Sequence, residues 1–153
     1  MPELERETIP ATIDDNGVTV RVTEAGSQFL VSGADMAPNT IEGTDPYTIW
    51  LAPGRRLIVG SDAPAGDFVS DVSDGLVLIE ISGPRADDVL AMGCPLDPTA
   101  LAHGRCAQTL FAGLKVVLYR HGKALRLHVE RPLAAWLLDW LRQAIGSFEG
   151  QEQ

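Results

Sequence analysis

The chain has 153 residues, 45% apolar and 22% charged, and its twelve basic against 21 acidic residues leave a formal charge of −9. That length suits one domain with a real hydrophobic core, and the composition excludes disorder throughout. The sign of the charge argues against nucleic acid or an anionic membrane surface, no run of about 18 uncharged apolar residues could span a bilayer, and two cysteines cannot build a disulfide scaffold.

The charge is unevenly placed. Residues 1–76 hold four Arg and no Lys against thirteen acidic residues, whereas residues 77–153 balance at eight of each sign. Such asymmetry serves solubility and can also steer a basic partner. Glu3, Glu5 and Glu7, with no apolar core around them, are unlike a signal peptide. The expectation is a reduced, cytoplasmic, acidic globular protein.

In chain order, residues 1–16 are polar and read as a flexible arm, residues 17–148 as a single domain, and residues 149–153 as a tail. Val18, Val20 and Val22 alternate with Thr19, Arg21 and Thr23 as in a half-buried strand. Ala25-Gly26-Ser27 then turns into Phe29-Leu30-Val31, read as its antiparallel return. Two Gly, two Pro and Asn39 mark 33–46 as a loop. Tyr47 to Leu51 and Arg56 to Val59 are strands joined at Ala52-Pro53-Gly54-Arg55, where Pro presets φ and Gly supplies the positive φ of a type II turn.

Leu76 to Ile81 is an almost continuous apolar run, the mark of a strand covered on both faces. Ser82-Gly83-Pro84-Arg85 leads into a short helix with Pro84 at its first position, Asp87 and Asp88 in the first turn where the helix dipole favours them, and Gly93 as its stop. After a loop over 94–104, strands are expected around Thr109-Leu110-Phe111, Lys115 to Tyr119 and Leu125 to Val129. Leu133, Trp136, Leu137, Trp140, Leu141, Ala144 and Ile145 recur with helical spacing and predict a final amphipathic helix opened by Pro132. The order indicates an α+β fold, a mainly antiparallel sheet with helices on one face.

No catalytic constellation emerges from the residues. Ser82-Gly83-Pro84-Arg85 is better read as a cap than as an anion site, since Pro84 removes a donor and no phosphate-loop spacing is present. Cys94, Cys106, His103, His121 and His128 lack zinc-ligand spacing, and His128, alternating with Arg126 and Glu130, is expected to face solvent or a partner. The cysteines read as small buried residues, and Asp71 and Asp74 as turn formers. Trp136 and Trp140 read as core or interface.

Several segments together resemble the gamma subunit of heterotetrameric sarcosine oxidase. They are Pro38-Asn39-Thr40, Trp50-Leu51-Ala52-Pro53-Gly54-Arg55, Leu57-Ile58-Val59, Val72-Ser73-Asp74-Gly75 and Ile81-Ser82-Gly83-Pro84-Arg85-Ala86. Val89 to Asp97, Gly104-Arg105-Cys106-Ala107-Gln108-Thr109 and the tryptophan-bearing helix complete the set. The most specific part is Gly-Cys-Pro-Leu-Asp at 93–97 followed by Arg-Cys-Ala-Gln-Thr at 105–109.

The resemblance implies the fold group of the aminomethyltransferase folate-binding domain. It further implies an alpha-beta-gamma-delta assembly that carries FAD, FMN, NAD and zinc. Such an assembly demethylates sarcosine to glycine oxidatively, passing the one-carbon unit to tetrahydrofolate and releasing hydrogen peroxide. In that assembly gamma holds no cofactor, metal or catalytic residue, and its task is to hold the alpha, beta and delta subunits in place. Candidate interface residues are Trp50, Arg55, Arg56, Trp136 and Trp140. The competing expectations are a stand-alone folate-binding or aminomethyltransferase-like protein, and a subunit of another N-methyl amine oxidase complex.

Overall fold

Two short antiparallel hairpin strands open the structure, a computed structural model that describes residues 12–23, 27–33, 36–60, 64, 68–97 and 101–148. Strand β1 (Thr12–Asp15) pairs with β2 (Val18–Thr23) across Asn16-Gly17, whose φ angles of 49° and 79° are both positive. Asn-Gly is the pair that tolerates such a two-residue turn, and its twist matches that of the strands. The arm expected over residues 1–16 is therefore corrected at 12–16, which are folded. Residues 1–11 and the tail at 149–153 lie outside the described residues.

The next strands are β3 (Gln28–Ser32), β4 (Ile41–Gly43), β5 (Tyr47–Ala52), β6 (Arg55–Val59) and β7 (Phe68–Asp71). They form one antiparallel sheet in the order β4-β5-β6-β3-β7. The hairpin expected at Pro53-Gly54 is present, with Gly54 at φ 73°. The expected pairing of 18–23 with 29–31 is not. Strand β2 lies between β1 and β8 (Leu76–Ser82), so the chain changes sheets between residues 23 and 28. Its Val18 and Val20 are needed under the helices, whereas β3 sends Gln28 and Leu30 toward the space between the sheets.

The other sheet has the order β1-β2-β8-β11-β10-β9, with β9 (Cys106–Phe111), β10 (Leu114–His121) and β11 (Ala124–Glu130) as an antiparallel meander. Helices α1 (Ala86–Gly93) and α2 (Arg131–Gly146) cover one face of this six-stranded sheet. The five-stranded sheet lies against part of the other face. The apolar run at 76–81 therefore sits between two packed layers, as its lack of alternation required.

Two cores result. Between helices and sheet lie Val20, Ile79, Leu118 and Leu127 with Leu90, Leu137, Leu141 and Ile145, and each such aliphatic side chain contributes roughly 1.5–3 kcal/mol on burial. Between the sheets a smaller cluster gathers Tyr47, Ile49, Leu57, Val59, Cys106 and Tyr119. Pro84 lies in the turn before α1 rather than at its first position, which is Ala86. Gly93 is still helical, and the expected role of a stop is replaced by a packing role. A Cβ there would come within 2.9 Å of the Phe111 and Trp140 rings, so the helix end is glycine because two aromatic rings press against it.

Candidate functional site

On β11, Leu125, Leu127 and Val129 face the helices, so Arg126 and His128 point the other way, toward the five-stranded sheet. The expectation that His128 faces solvent or a partner is overturned: it is 2% exposed. A second sheet covers the face that its own strand's alternation marked as polar.

What accommodates these polar groups is a closed hydrogen-bond chain. The Gln28 amide nitrogen donates to the Leu76 carbonyl at 3.1 Å, so its oxygen accepts from His128 Nδ1 at 2.6 Å. With Nδ1 carrying the proton, His128 Nε2 accepts from the Tyr119 hydroxyl at 2.6 Å. Tyr119 in turn accepts from the Tyr47 hydroxyl, and Tyr47 accepts from Arg126 Nη1 at 3.1 Å. Arg126 Nε donates to Glu80 at 3.0 Å. Each donor in the chain has one acceptor, which is how buried polar groups avoid their desolvation cost.

The electrostatics agree with a structural role. Burial, aided by the Arg126 charge, pushes His128 down to about 3, so it stays neutral at physiological pH. Burial and the neighbouring Tyr47 push the Tyr119 phenol far above its usual value. With both ring nitrogens engaged, His128 has no free lone pair to act as a base. Cys106 is buried, donates to the Trp50 and Thr40 carbonyls at 3.5 and 3.6 Å, and is pushed up to about 11, chiefly by burial, so it is a thiol. Cys94 is buried beside the Thr109 hydroxyl. Asp71 accepts from the Ser73 backbone at 2.9 Å, as a turn former does.

One end of the six-stranded sheet extends past its partner sheet and leaves an open groove of about 490 Å³. Leu76, Val117 and His128 line it together with Gln108, Leu110, Lys115 and Glu130. It offers an apolar floor and a charged rim, but no nucleophile paired with a base. Among the described residues, no three His, Cys, Asp or Glu side chains gather as metal ligands, and no helix is long and apolar enough to cross a membrane.

The five residues expected at an interface fall into two groups on opposite layers. Trp50 and Arg56 face each other across β5 and β6, on the side of the five-stranded sheet away from the core. Both are half-buried, and Arg55 beside them is exposed. Trp136 and Trp140 lie on α2, in the helix layer. Trp140 packs edge-on to Phe111 at 5.5 Å and belongs to the core boundary, whereas Trp136 is 53% exposed. Sequence reasoning missed Gln28, Tyr47, Tyr119 and Arg126 as one network. Its signal was the apolar alternation of Tyr47, Ile49, Leu57 and Val59, which demanded a covering layer that only β8, β10 and β11 could supply.

No family model matches the chain. Three curated relatives do, and each is named sarcosine oxidase subunit gamma. That of Corynebacterium sp. (strain P-1) is 26% identical over 154 residues, covering 91% of this chain and 75% of the relative. That of Arthrobacter sp. is 30% identical over 117 residues, covering 64% of this chain and 57% of the relative. That of Corynebacterium sp. (strain U-96) is 26% identical, covering 68% and 58%. Against the last two, the chain spans less than two thirds of the relative's length. A chain in the solved heterotetrameric sarcosine oxidase from Corynebacterium sp. U-96 has the same fold, with TM-score 0.78, 22% identity, and coverage of 90% of this chain and 88% of that one. The resemblance and the α+β fold read from the sequence are both borne out.

Proposed function

For this relative of the sarcosine oxidase gamma subunits, we propose the role of non-catalytic gamma subunit in a heterotetrameric sarcosine oxidase. The complex would convert sarcosine, oxygen and tetrahydrofolate to glycine, methylenetetrahydrofolate and hydrogen peroxide. FAD, FMN, NAD, zinc and tetrahydrofolate would be held on the alpha, beta and delta subunits, and this chain would fix those subunits' relative geometry in the cytoplasm. The observation that carries the reading is the shared name of all three curated relatives. The closed Gln28–His128–Tyr119–Tyr47–Arg126 chain supports it, because it leaves the buried polar groups with structural partners and no reacting partner.

In this role the chain works through buried area. A stable interface removes about 1,600 Å² from water and concentrates aromatic and Arg anchors. Trp136, exposed on α2, suits an anchor in the helix layer, and Trp50 with Arg55 and Arg56 suits a second contact on the opposite layer. Gripping both layers would hold the domain like a spacer between larger neighbours.

The test is to assay the purified chain alone for sarcosine-dependent peroxide and to titrate it with tetrahydrofolate. The proposal expects neither turnover nor micromolar binding. Micromolar folate binding would favour the stand-alone folate-binding reading, and peroxide release by the chain alone would overturn the non-catalytic role.

A further inference from the structure

Resting on that subunit reading, we propose that the free edge of β9 is the seat on which a partner subunit adds an extended strand. The Cys106 N–H donates to the Asn39 carbonyl at 2.9 Å, so the Cys106 backbone points away from β10. Register pairs Cys106 with Tyr119, Gln108 with Val117 and Leu110 with Lys115. The antiparallel pattern repeats every two residues, so the N–H and C=O of Gln108 and Leu110 also point outward. Among the described residues the backbone of this edge is paired at its start, by the bridge between Thr40 and Arg105, and further along only the Gln108 side chain is tied down, donating to the Leu51 carbonyl of β5.

Sheet edges that must stay free are normally blunted by charge, proline or a bulge. Cys106-Ala107-Gln108-Thr109-Leu110-Phe111 has none of these, and Leu110 is 48% exposed. The surroundings suit an extended occupant. The 490 Å³ groove opens on one side of the edge, over Leu76, Val117 and His128. A second hollow of about 280 Å³ adjoins the closed start of the strand and is mainly polar, with Asn39, Arg105 and Gln108 beside Leu96, Leu101 and Ala107. Successive side chains of an added strand point to opposite faces, so its alternate apolar residues would enter the groove over Leu76 and Val117 while main-chain hydrogen bonds hold the backbone.

Charge narrows the occupant further. In a chain of net charge −9, this edge carries exposed Arg105 at its start and exposed Lys115 beside Leu110, with Glu130 on the far rim of the groove. The partner segment is therefore an extended stretch with apolar residues between carboxylates. Pairing β9 with a second copy of itself would bring four cations to one seam, which favours a different chain.

The experiment compares backbone amide exchange in the full chain alone and in the assembly obtained by co-expression with the other subunits. Expected is slowing of the Gln108 and Leu110 amides by at least about tenfold on assembly, as for amides drawn into a ladder. Leu110→Pro removes the outward N–H together with a half-exposed side chain at the groove, so it should abolish co-elution while leaving the isolated chain's Tm within a few degrees, and Leu110→Ala, which keeps the N–H, should retain more of the co-elution. Should Leu110→Pro misfold, the exchange comparison on the unaltered chain still decides. Assembly with unchanged Gln108 and Leu110 exchange sinks this inference and leaves the subunit reading standing, whereas failure to assemble sinks both. A homodimer of the isolated chain with β9 already protected would overturn the assignment to a different partner.

Discussion

Replacing His128 by Gln should flatten the acid branch of the stability profile. In the folded chain His128 titrates at about 3, against 6.5 in the unfolded chain. The unfolded state therefore binds the extra proton between those values, and stability is complete above 6.5 and lost as pH falls toward 3. An unfolded-state histidine is about one quarter protonated at pH 7 and almost fully at pH 5, so the folded chain loses about 2 kcal/mol between them from this residue alone. The acidic side chains and His121, whose pKa burial also lowers, contribute equally to both proteins and cancel in the comparison. Urea titrations at pH 7, 6 and 5, followed by tryptophan fluorescence, give the two profiles. The unaltered chain should lose about 2 kcal/mol more than His128→Gln over that range. Parallel profiles would refute the argument that a buried neutral imidazole anchors the space between the sheets.

Two further substitutions separate packing from surface. Gly93→Ala would gain helix propensity on an open helix, but here its Cβ meets Phe111 and Trp140 at 2.9 Å, so calorimetry should show a loss of about 1–3 kcal/mol. A rise in Tm would show that the aromatic contact yields freely. Trp140→Ala should cost roughly 2–4 kcal/mol by emptying the space against Phe111, while Trp136→Ala should stay within about 0.5 kcal/mol in the isolated chain. Only Trp136→Ala should weaken co-purification with the larger subunits without loss of Tm. Equal destabilisation by both would place Trp136 in the fold rather than at an interface.

Local signals carried far in this chain, and layer relationships did not. The Pro53-Gly54 hairpin, the unbroken apolar run at 76–81 and the helical spacing after Pro132 each have a cause confined to a few residues, and each formed as read. Asn16-Gly17 was equally local, yet the polar composition around it concealed a hairpin. The change of sheet after Thr23 has no local cause, because β2 pairs with β8, which begins more than 50 residues later. His128 failed for the same reason: the alternation on β11 told which residues shared a face, but not that a second sheet would lie on it. Trp136 and Trp140 share a periodicity, and only the position of Phe111 and Gly93 under one of them separates core from surface.

The subunit account turns most directly on the mass of what this chain forms with its neighbours. Light scattering after size-exclusion of the co-expressed set should give a single species containing this chain together with the larger subunits, able to release peroxide from sarcosine. Recovery of an equally active complex that has never contained the chain, with this polypeptide eluting separately, would contradict it.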